Sequence, residues 1–189
     1  MGNPDWRILS SSYVVDTHFL RLRKDTIELA DGTVIPDYYV RESRGFIIVF
    51  ALTDDGRVVL VRQYKHGIGR ALLELPAGAI DPGEEAQACA IRELAEETGY
   101  TAGSMELVRS FVTDPTNSNS IAHLFLARGA RKTGEQDLDV TENIDVSLVS
   151  IGELRELVRG GEIDSLPHVA AVYFVLDNIL GNSESAPKG

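Results

Sequence analysis

The chain has 189 residues, 43% hydrophobic and 25% charged, proportions that argue for one globular domain, or one with a small appendage, and against a disordered, collagen-like or rod-like chain. Its longest unbroken apolar run, residues 46–52, is far short of the roughly 18 residues that a membrane-spanning helix needs. A formal charge of −11 repels phosphate backbones and anionic lipid, so neither polymeric nucleic acid nor a membrane is an expected partner, and an anionic substrate needs local arginines or a bound cation.

Short β-prone segments at 13–16, 20–23 and 26–29, then an Asp31-Gly32 turn before 33–35, predict a small antiparallel appendage. Two strong strands follow at 46–52 and 58–63, joined through Asp54-Asp55-Gly56, which is hairpin chemistry. A looser stretch at 66–69 leads to a strand at 72–75, and the Gly- and Pro-rich residues 76–83 end it. Residues 84–98 are rich in Ala, Glu, Leu and Arg, all good helix formers, with Gly99 placed as the C′ cap. This helix carries Cys89, the only cysteine, which excludes an intrachain disulfide; residues 1–10 also lack a secretory pattern, so the expected setting is a reducing cytoplasm.

Strand character recurs at 105–111, 121–127 and 144–149. A capping box at Ser150 and Glu153 opens a helix to Val158, and Ser165 with Pro167 opens another running to about Leu180. The tail, 182–189, is expected to be flexible. Strands outnumber helices without regular alternation, which predicts an α+β sandwich rather than a doubly wound sheet. His66, His123 and His168 have no metal-ligand spacing and are expected to be structural or exposed.

On the helix at 84–98, Ala86, Ala90 and Leu94 recur at i, i+4 and i+8, and Glu93 and Glu97 project onto the same stripe with Glu96 at its edge. Carboxylates crowded on the side that turns toward the protein are costly unless they take up protons or a cation neutralises them. Mg²⁺ and Mn²⁺ favour oxygen donors and commonly bridge carboxylates to substrate phosphates, so the helix reads as a metal platform. The competing reading is a solvated helix laced by i,i+4 pairs such as Arg92 with Glu96.

The segment upstream weighs between them. Gly78 and five further residues precede Glu84, and seven residues later comes Arg92-Glu93-Leu94-Ala95-Glu96-Glu97-Thr98-Gly99-Tyr100. This resembles the box of the Nudix hydrolase family at every fixed position, with Tyr100 in the final aliphatic place. The resemblance implies an α/β/α sandwich and hydrolysis of a nucleoside diphosphate linked to another moiety. It implies metal ligation by Glu93 and Glu97, with Glu96 as a further ligand and Ala77 lending its carbonyl. Arg92 is then expected to hold a glutamate in position, and Glu84 to pack back on the helix. Glycine at Gly78 suits a backbone that turns sharply beside the ions.

Outside the box the chain resembles the ADP-ribose pyrophosphatase branch and its nucleoside diphosphate sugar hydrolase relatives. Val61-Arg62-Gln63-Tyr64 followed by Leu73-Glu74-Leu75-Pro76-Ala77-Gly78 is one such run and implies a phosphate or ribose contact for Arg62, whose guanidinium fork matches phosphate oxygens. Pro115 stands about fifteen residues beyond the box, where the branch carries a proline, although Asp114-Pro115-Thr116 replaces the commoner Ser-Pro-Gly. Thr141-Glu142-Asn143 resembles a mobile loop that carries the general base, which assigns water activation to Glu142; Glu96 or Glu93 is the substitute base.

In this branch an N-terminal sheet is commonly exchanged across a homodimer, which would bring Arg41 or Arg44 to the substrate and Trp6 or Tyr13 to the interface or the base. The expected division is 1–40 as appendage, 41–181 as hydrolase domain and 182–189 as tail. The expected reaction is cleavage of ADP-ribose to AMP and ribose 5-phosphate with two or three Mg²⁺ or Mn²⁺ ions. The alternatives are a sugar nucleotide such as GDP-mannose, if the Asn/Ser-rich loop after Pro115 reads sugar hydroxyls, an oxidised nucleoside triphosphate, or a module that binds without catalysis.

Overall fold

The structure, a computed structural model, describes residues 6–181; the expected tail lies outside the described residues. The chain divides into two compact units, one running through Gly45 and taking in Val112–Ile121, the other comprising Phe46–Phe111 and the chain from Ala122 on. Among the described residues no helix is long and apolar enough to cross a membrane.

The first unit is an antiparallel sheet in the order β1 (Arg7–Asp16), β2 (Arg21–Glu28), β3 (Val34–Glu42). The two short strands expected at 20–23 and 26–29 are one strand, β2, which runs unbroken because the irregularities of its pairing fall on its neighbours: Asp25 and Ile27, two apart, face Tyr38 and Ile35, three apart on β3, and the shifts against β1 put the extra residue on β1. Polar contacts run across the strands: Arg23 Nη1 donates to Glu42 at 2.5 Å and the Tyr13 hydroxyl donates to Glu42 at 2.8 Å, while within β2 Arg23 also grips Asp25 through two bonds of 2.9 Å. The Arg23 guanidinium holds the Asp25 carboxyl below its ordinary value. The segment 112–121 lies along β3, where the Arg41 N–H donates to the Asn117 carbonyl at 2.8 Å and the Asn117 amide donates to the Tyr39 carbonyl at 3.0 Å. These bonds place the segment with the N-terminal sheet, a placement that a division of the chain at residue 40 does not contain.

The second unit is built on an eight-stranded mixed sheet whose spine runs β11-β5-β4-β10-β8. Its strands are β4 (Phe46–Thr53), β5 (Arg57–Lys65), β6 (Arg70–Glu74), β7 (Ala77–Ala79), β8 (Tyr100–Thr101), β9 (Ser104–Val112), β10 (Ile121–Lys132) and β11 (Ile144–Ser150). The helices are α1 (Ala86–Thr98), α2 (Ile151–Arg159) and α3 (Leu166–Val175), the last prolonged by a π-turn over Leu176–Leu180.

Alternation along the central strands sends side chains to both faces, and both faces are covered. Ile48, Phe50, Leu60 and Leu124 share a core with Leu154 of α2 and Val172 of α3. Ile47, Val49, Val59 and Phe125 pack against Ala90 and Leu94 of α1. Burial on both faces is why these strands read as unbroken apolar runs, and each large side chain so buried stabilises the fold by about 2 kcal/mol. The result is the expected α/β/α sandwich. The capping box at Ser150 is present, its hydroxyl accepting from the Glu153 amide and the Glu153 carboxylate accepting from the Ser150 amide.

Behind the loop that joins β6 to β7, His168 of α3 is buried. Its Nδ1 accepts from the Leu75 N–H at 3.2 Å, and its Nε2 lies 3.4 Å from Glu74, whose other oxygen is 3.3 Å from Lys65. Burial pushes the imidazole down to about 4, with Glu74 opposing and Lys65 adding to the shift. A lowered folded value means that the unfolded chain binds the proton first, so this contribution is complete above pH 6.5 and is lost as pH falls toward 4. At about 1.4 kcal/mol per unit the interval is worth about 3 kcal/mol. The unfolding free energy of the parent relative to H168Q, from urea titrations, is expected to fall by about that amount from pH 7 to 4; the comparison is needed because the raised Glu97 carboxyl shifts the parent's own profile in the opposite sense over the same range.

Candidate active site

The box folds as strand, loop and helix. Val49 N–H donates to the Pro76 carbonyl at 2.8 Å, and β7 then pairs with β4, Gly78 opposite Ile47. The Pro- and Gly-rich stretch therefore re-enters the sheet for three residues instead of only ending a strand. Helix α1 begins at Ala86 rather than at Glu84, and Gly99 closes it at φ 72°. Glu84 stays in the loop and turns back onto the helix, where both its oxygens take hydrogen bonds of 2.9 Å from Arg92.

Arg92 is the hub. Besides Glu84, its Nη1 donates to Glu93 and to Glu96, each at 2.8 Å. The i,i+4 pair with Glu96 exists, but as one limb of a cluster of three carboxylates around one guanidinium, not as a solvated surface contact. The bidentate bond drives the Glu84 carboxyl down to about 2, so it is ionised at any working pH.

Glu93 and Glu97 have the opposite electrostatics. Glu97 is 4% exposed, and burial pushes its carboxyl up to about 8, against the Ala77 N–H that donates to it at 3.0 Å and with added repulsion from Glu93 and Glu142. Burial also raises Glu93, although Arg92 opposes it. The Glu93 carboxylate lies directly over Gly78, and a Cβ on that glycine would overlap its atoms. The two acids deprived of water are thus seated against β7 by backbone, one through an amide and one through a missing side chain.

Arg92, Glu93 and Glu96 form one wall of a cavity of about 200 Å³ whose other wall is Asp137, Leu138, Asp139 and Glu142. Glu142 is half-buried on the loop before β11, its carboxylate accepting from the Asp139 N–H at 3.1 Å. Asp137 and Asp139 were not singled out in the sequence; two more acids in a polar loop carry no local signal of what they face. Arg62 is exposed on β5 with Asp145 opposite it on β11, and it is not among the residues lining this cavity. Arg41, Arg44 and Pro115 are exposed and belong to the unit of the N-terminal sheet.

Among the described residues no three or more His, Cys, Asp or Glu side chains gather as a ready-made metal cage. The donors present suit a different mode of binding, in which one or two carboxylates hold Mg²⁺ while waters and substrate phosphates complete the octahedron. Two desolvated carboxylates, with the seat that Gly78 provides for one of them, fit that mode.

Comparison with known proteins identifies the family. The NUDIX domain model matches residues 42–169, and the chain belongs to that family. A second model, the nucleoside diphosphate sugar hydrolase N-terminal domain, matches residues 6–40. The chain is 31% identical to the methanol dehydrogenase activator of Bacillus methanolicus, over 92% of this chain and 95% of that protein. It is 29% identical to the ADP-ribose pyrophosphatase of Bacillus subtilis, over 93% and 95% respectively. Its fold matches a crystal structure described as an ADP compounds hydrolase with a TM-score of 0.83 at 20% identity, covering 96% of this chain and 98% of that one.

Proposed function

We propose that this protein is a divalent-metal-dependent Nudix pyrophosphohydrolase that cleaves ADP-ribose to AMP and ribose 5-phosphate. The observation that carries the reading is the pair Glu93 and Glu97, short of water and seated against β7, beside an acidic loop that shares a cavity with the box helix. The similarity to a relative named ADP-ribose pyrophosphatase supports the substrate.

Glu93 and Glu97 would hold Mg²⁺ or Mn²⁺, two or three ions with substrate, and Glu96 and the Ala77 carbonyl would complete the protein's share of ligands. Once bound, such ions supply Lewis acidity, lowering the pKa of water and neutralising charge on the pyrophosphate. Arg92 keeps Glu93 and Glu96 aimed through the bonds it makes to them. Glu142 accepts the proton of the attacking water, whose oxygen joins one phosphorus as the P–O–P bridge breaks, with Glu96 or Glu93 as the substitute base. Arg62 orients the diphosphate, and Arg41, Arg44 and Pro115 are further substrate contacts in this reading. No covalent enzyme intermediate is needed; positioning and electrostatics supply the rate.

A homodimer made through the N-terminal sheet is part of the proposal. Trp6, Ile8, Leu9, Val14 and Phe19, in and beside the sheet's first strand, are exposed and would supply apolar contacts to such an interface. A cytoplasmic setting is likewise proposed, resting on the single, buried Cys89.

The hexose reading needs the asparagines after Pro115 to read sugar hydroxyls. Asn117 Nδ2 already donates to the Tyr39 carbonyl, and Asn119 Oδ1 accepts from the Ser43 N–H, which favours ADP-ribose. The test is kcat/KM with Mg²⁺ across ADP-ribose, GDP-mannose, other nucleotide sugars and an oxidised nucleoside triphosphate. ADP-ribose is expected to rank first by about tenfold or more, since a site built on polar contacts rejects substrates that leave them unmade. A hexose conjugate ranking first would overturn the substrate, and no turnover at all would make the protein a binding module.

A further inference from the structure

The C-terminal end of α1 must satisfy its last carbonyls, which have no partners within the helix. Gly99 N–H takes that of Ala95 at 2.8 Å, and the segment leading out of β10 takes those of Glu96, Glu97 and Gly99. Thr133 and Gly134 donate to the Gly99 carbonyl at 2.9 and 3.1 Å, and Asp137 N–H donates to that of Glu96 at 2.9 Å. The approach is close: a Cβ on Gly99 would overlap the Gly134 carbonyl, and the φ of +72° already demands glycine there.

The Glu97 carbonyl is taken by a side chain. Gln136 Nε2 donates to it at 2.7 Å and also to the Ile144 carbonyl at 3.0 Å. Ile144 is the first residue of β11, paired with Gln63 of β5. One carboxamide therefore ties together the helix that bears Glu93 and Glu97 and both roots of the loop 137–143, the loop that lines the cavity and bears Glu142.

We propose that Gln136 is a positioning residue for the reaction: bridging the main-chain carbonyls of Glu97 and Ile144, it fixes the roots of the loop of Glu142, from which that loop moves, at a set distance from the box helix. This rests on the assignment of Glu142 as the base. A carboxylate that must meet a water held near Glu93 and Glu97 depends on that distance, and both of the loop's roots answer to a single nitrogen. The bridge leaves the cavity itself free, because Gln136 is not among its lining residues.

The experiment compares the full-length protein with Gln136→Met, close in length but without N–H donors, and with Glu142→Gln. Two readouts are taken: steady-state kcat and KM for ADP-ribose at saturating Mg²⁺, and hydrogen–deuterium exchange of the metal-free protein. Gln136→Met is expected to lower kcat on the order of 10- to 100-fold, the scale of a small misplacement of a reacting group. KM is expected to stay within about twofold, since only transition-state geometry changes. Amides of 137–143 are expected to exchange faster while those of α2 and α3 keep their rates.

Unchanged loop exchange, or faster exchange throughout the chain, would overturn the proposal by making Gln136 irrelevant or merely structural. Faster loop exchange with unaltered kcat, while Glu142→Gln is inactive, would overturn the positioning role alone. An active Glu142→Gln would overturn the assignment of the base, and with it the reason for positioning this loop. If Gln136→Met does not fold, Gln136→Asn, which keeps the carboxamide but is one methylene too short to span both carbonyls, takes the same readouts.

Discussion

Replacing Glu97 with glutamine is expected to abolish most of the activity while leaving the fold intact. The substitution keeps the shape, and the new carboxamide oxygen can still accept from the Ala77 N–H, which now donates to Glu97 at 3.0 Å. What disappears is the charge. The loss in kcat should be on the order of a thousandfold, the several kcal/mol that Lewis-acid assistance contributes. The metal-free variant should be at least as stable as the parent, because a neutral amide at a site 4% exposed carries no ion to desolvate. Added Mg²⁺ is expected to raise the Tm of the parent by binding the folded state and to raise that of the variant much less. Turnover above half the parental rate would refute the ligand assignment.

Gly78→Ala should disable the site from the other side. The backbone at Gly78 does not have a positive φ, so alanine strains nothing locally, but its methyl group needs the space that the Glu93 carboxylate fills. A carboxylate is the far end of a flexible side chain, so the fold accommodates the change by displacing it. Displacement strips Glu93 from Arg92, which now donates to it at 2.8 Å, and from its place beside Glu97. The Mg²⁺ concentration for half-maximal activity is expected to rise about 10- to 100-fold, as when a metal ligand loses its support. Tm without metal should shift little. An unchanged Mg²⁺ dependence would show that Glu93 needs no seat on β7.

Much of this site is legible without coordinates. Glu93, Glu96 and Glu97 share a face of α1 because helical periodicity fixes their directions, and the apolar stripe at Ala86, Ala90 and Leu94 says which way that face turns. The position of Glu84 was readable too, although its partner was not: a bond to Arg92 eight residues on competes with the helix dipole for the same charge, and the arginine wins by gripping both oxygens.

Other features had no local trace. Strand β2 runs on as one strand because neighbours on both sides pair with it, and β1 and β3 carry the irregularities that keep the register. The asparagines of the segment 112–121 serve backbone groups in and just after β3, more than seventy positions earlier: Asn117 Nδ2 donates to the Tyr39 carbonyl and Asn119 Oδ1 accepts from the Ser43 N–H. Gln136 looks like any polar loop residue until the carbonyl of Glu97, 39 positions away, comes within reach.

The amino-acid sequence by itself determined the family, the box helix, its three inward carboxylates and the helix caps, because each depends on groups within one or two turns of each other. Only the tertiary structure decided that Arg92 gathers three acids, that Gly78 leaves room for one of them, and that the Glu142 loop is anchored to the helix it faces. Those depend on which distant backbone groups are left unsatisfied at the end of a strand or helix, and that is fixed only when the sheet closes around them.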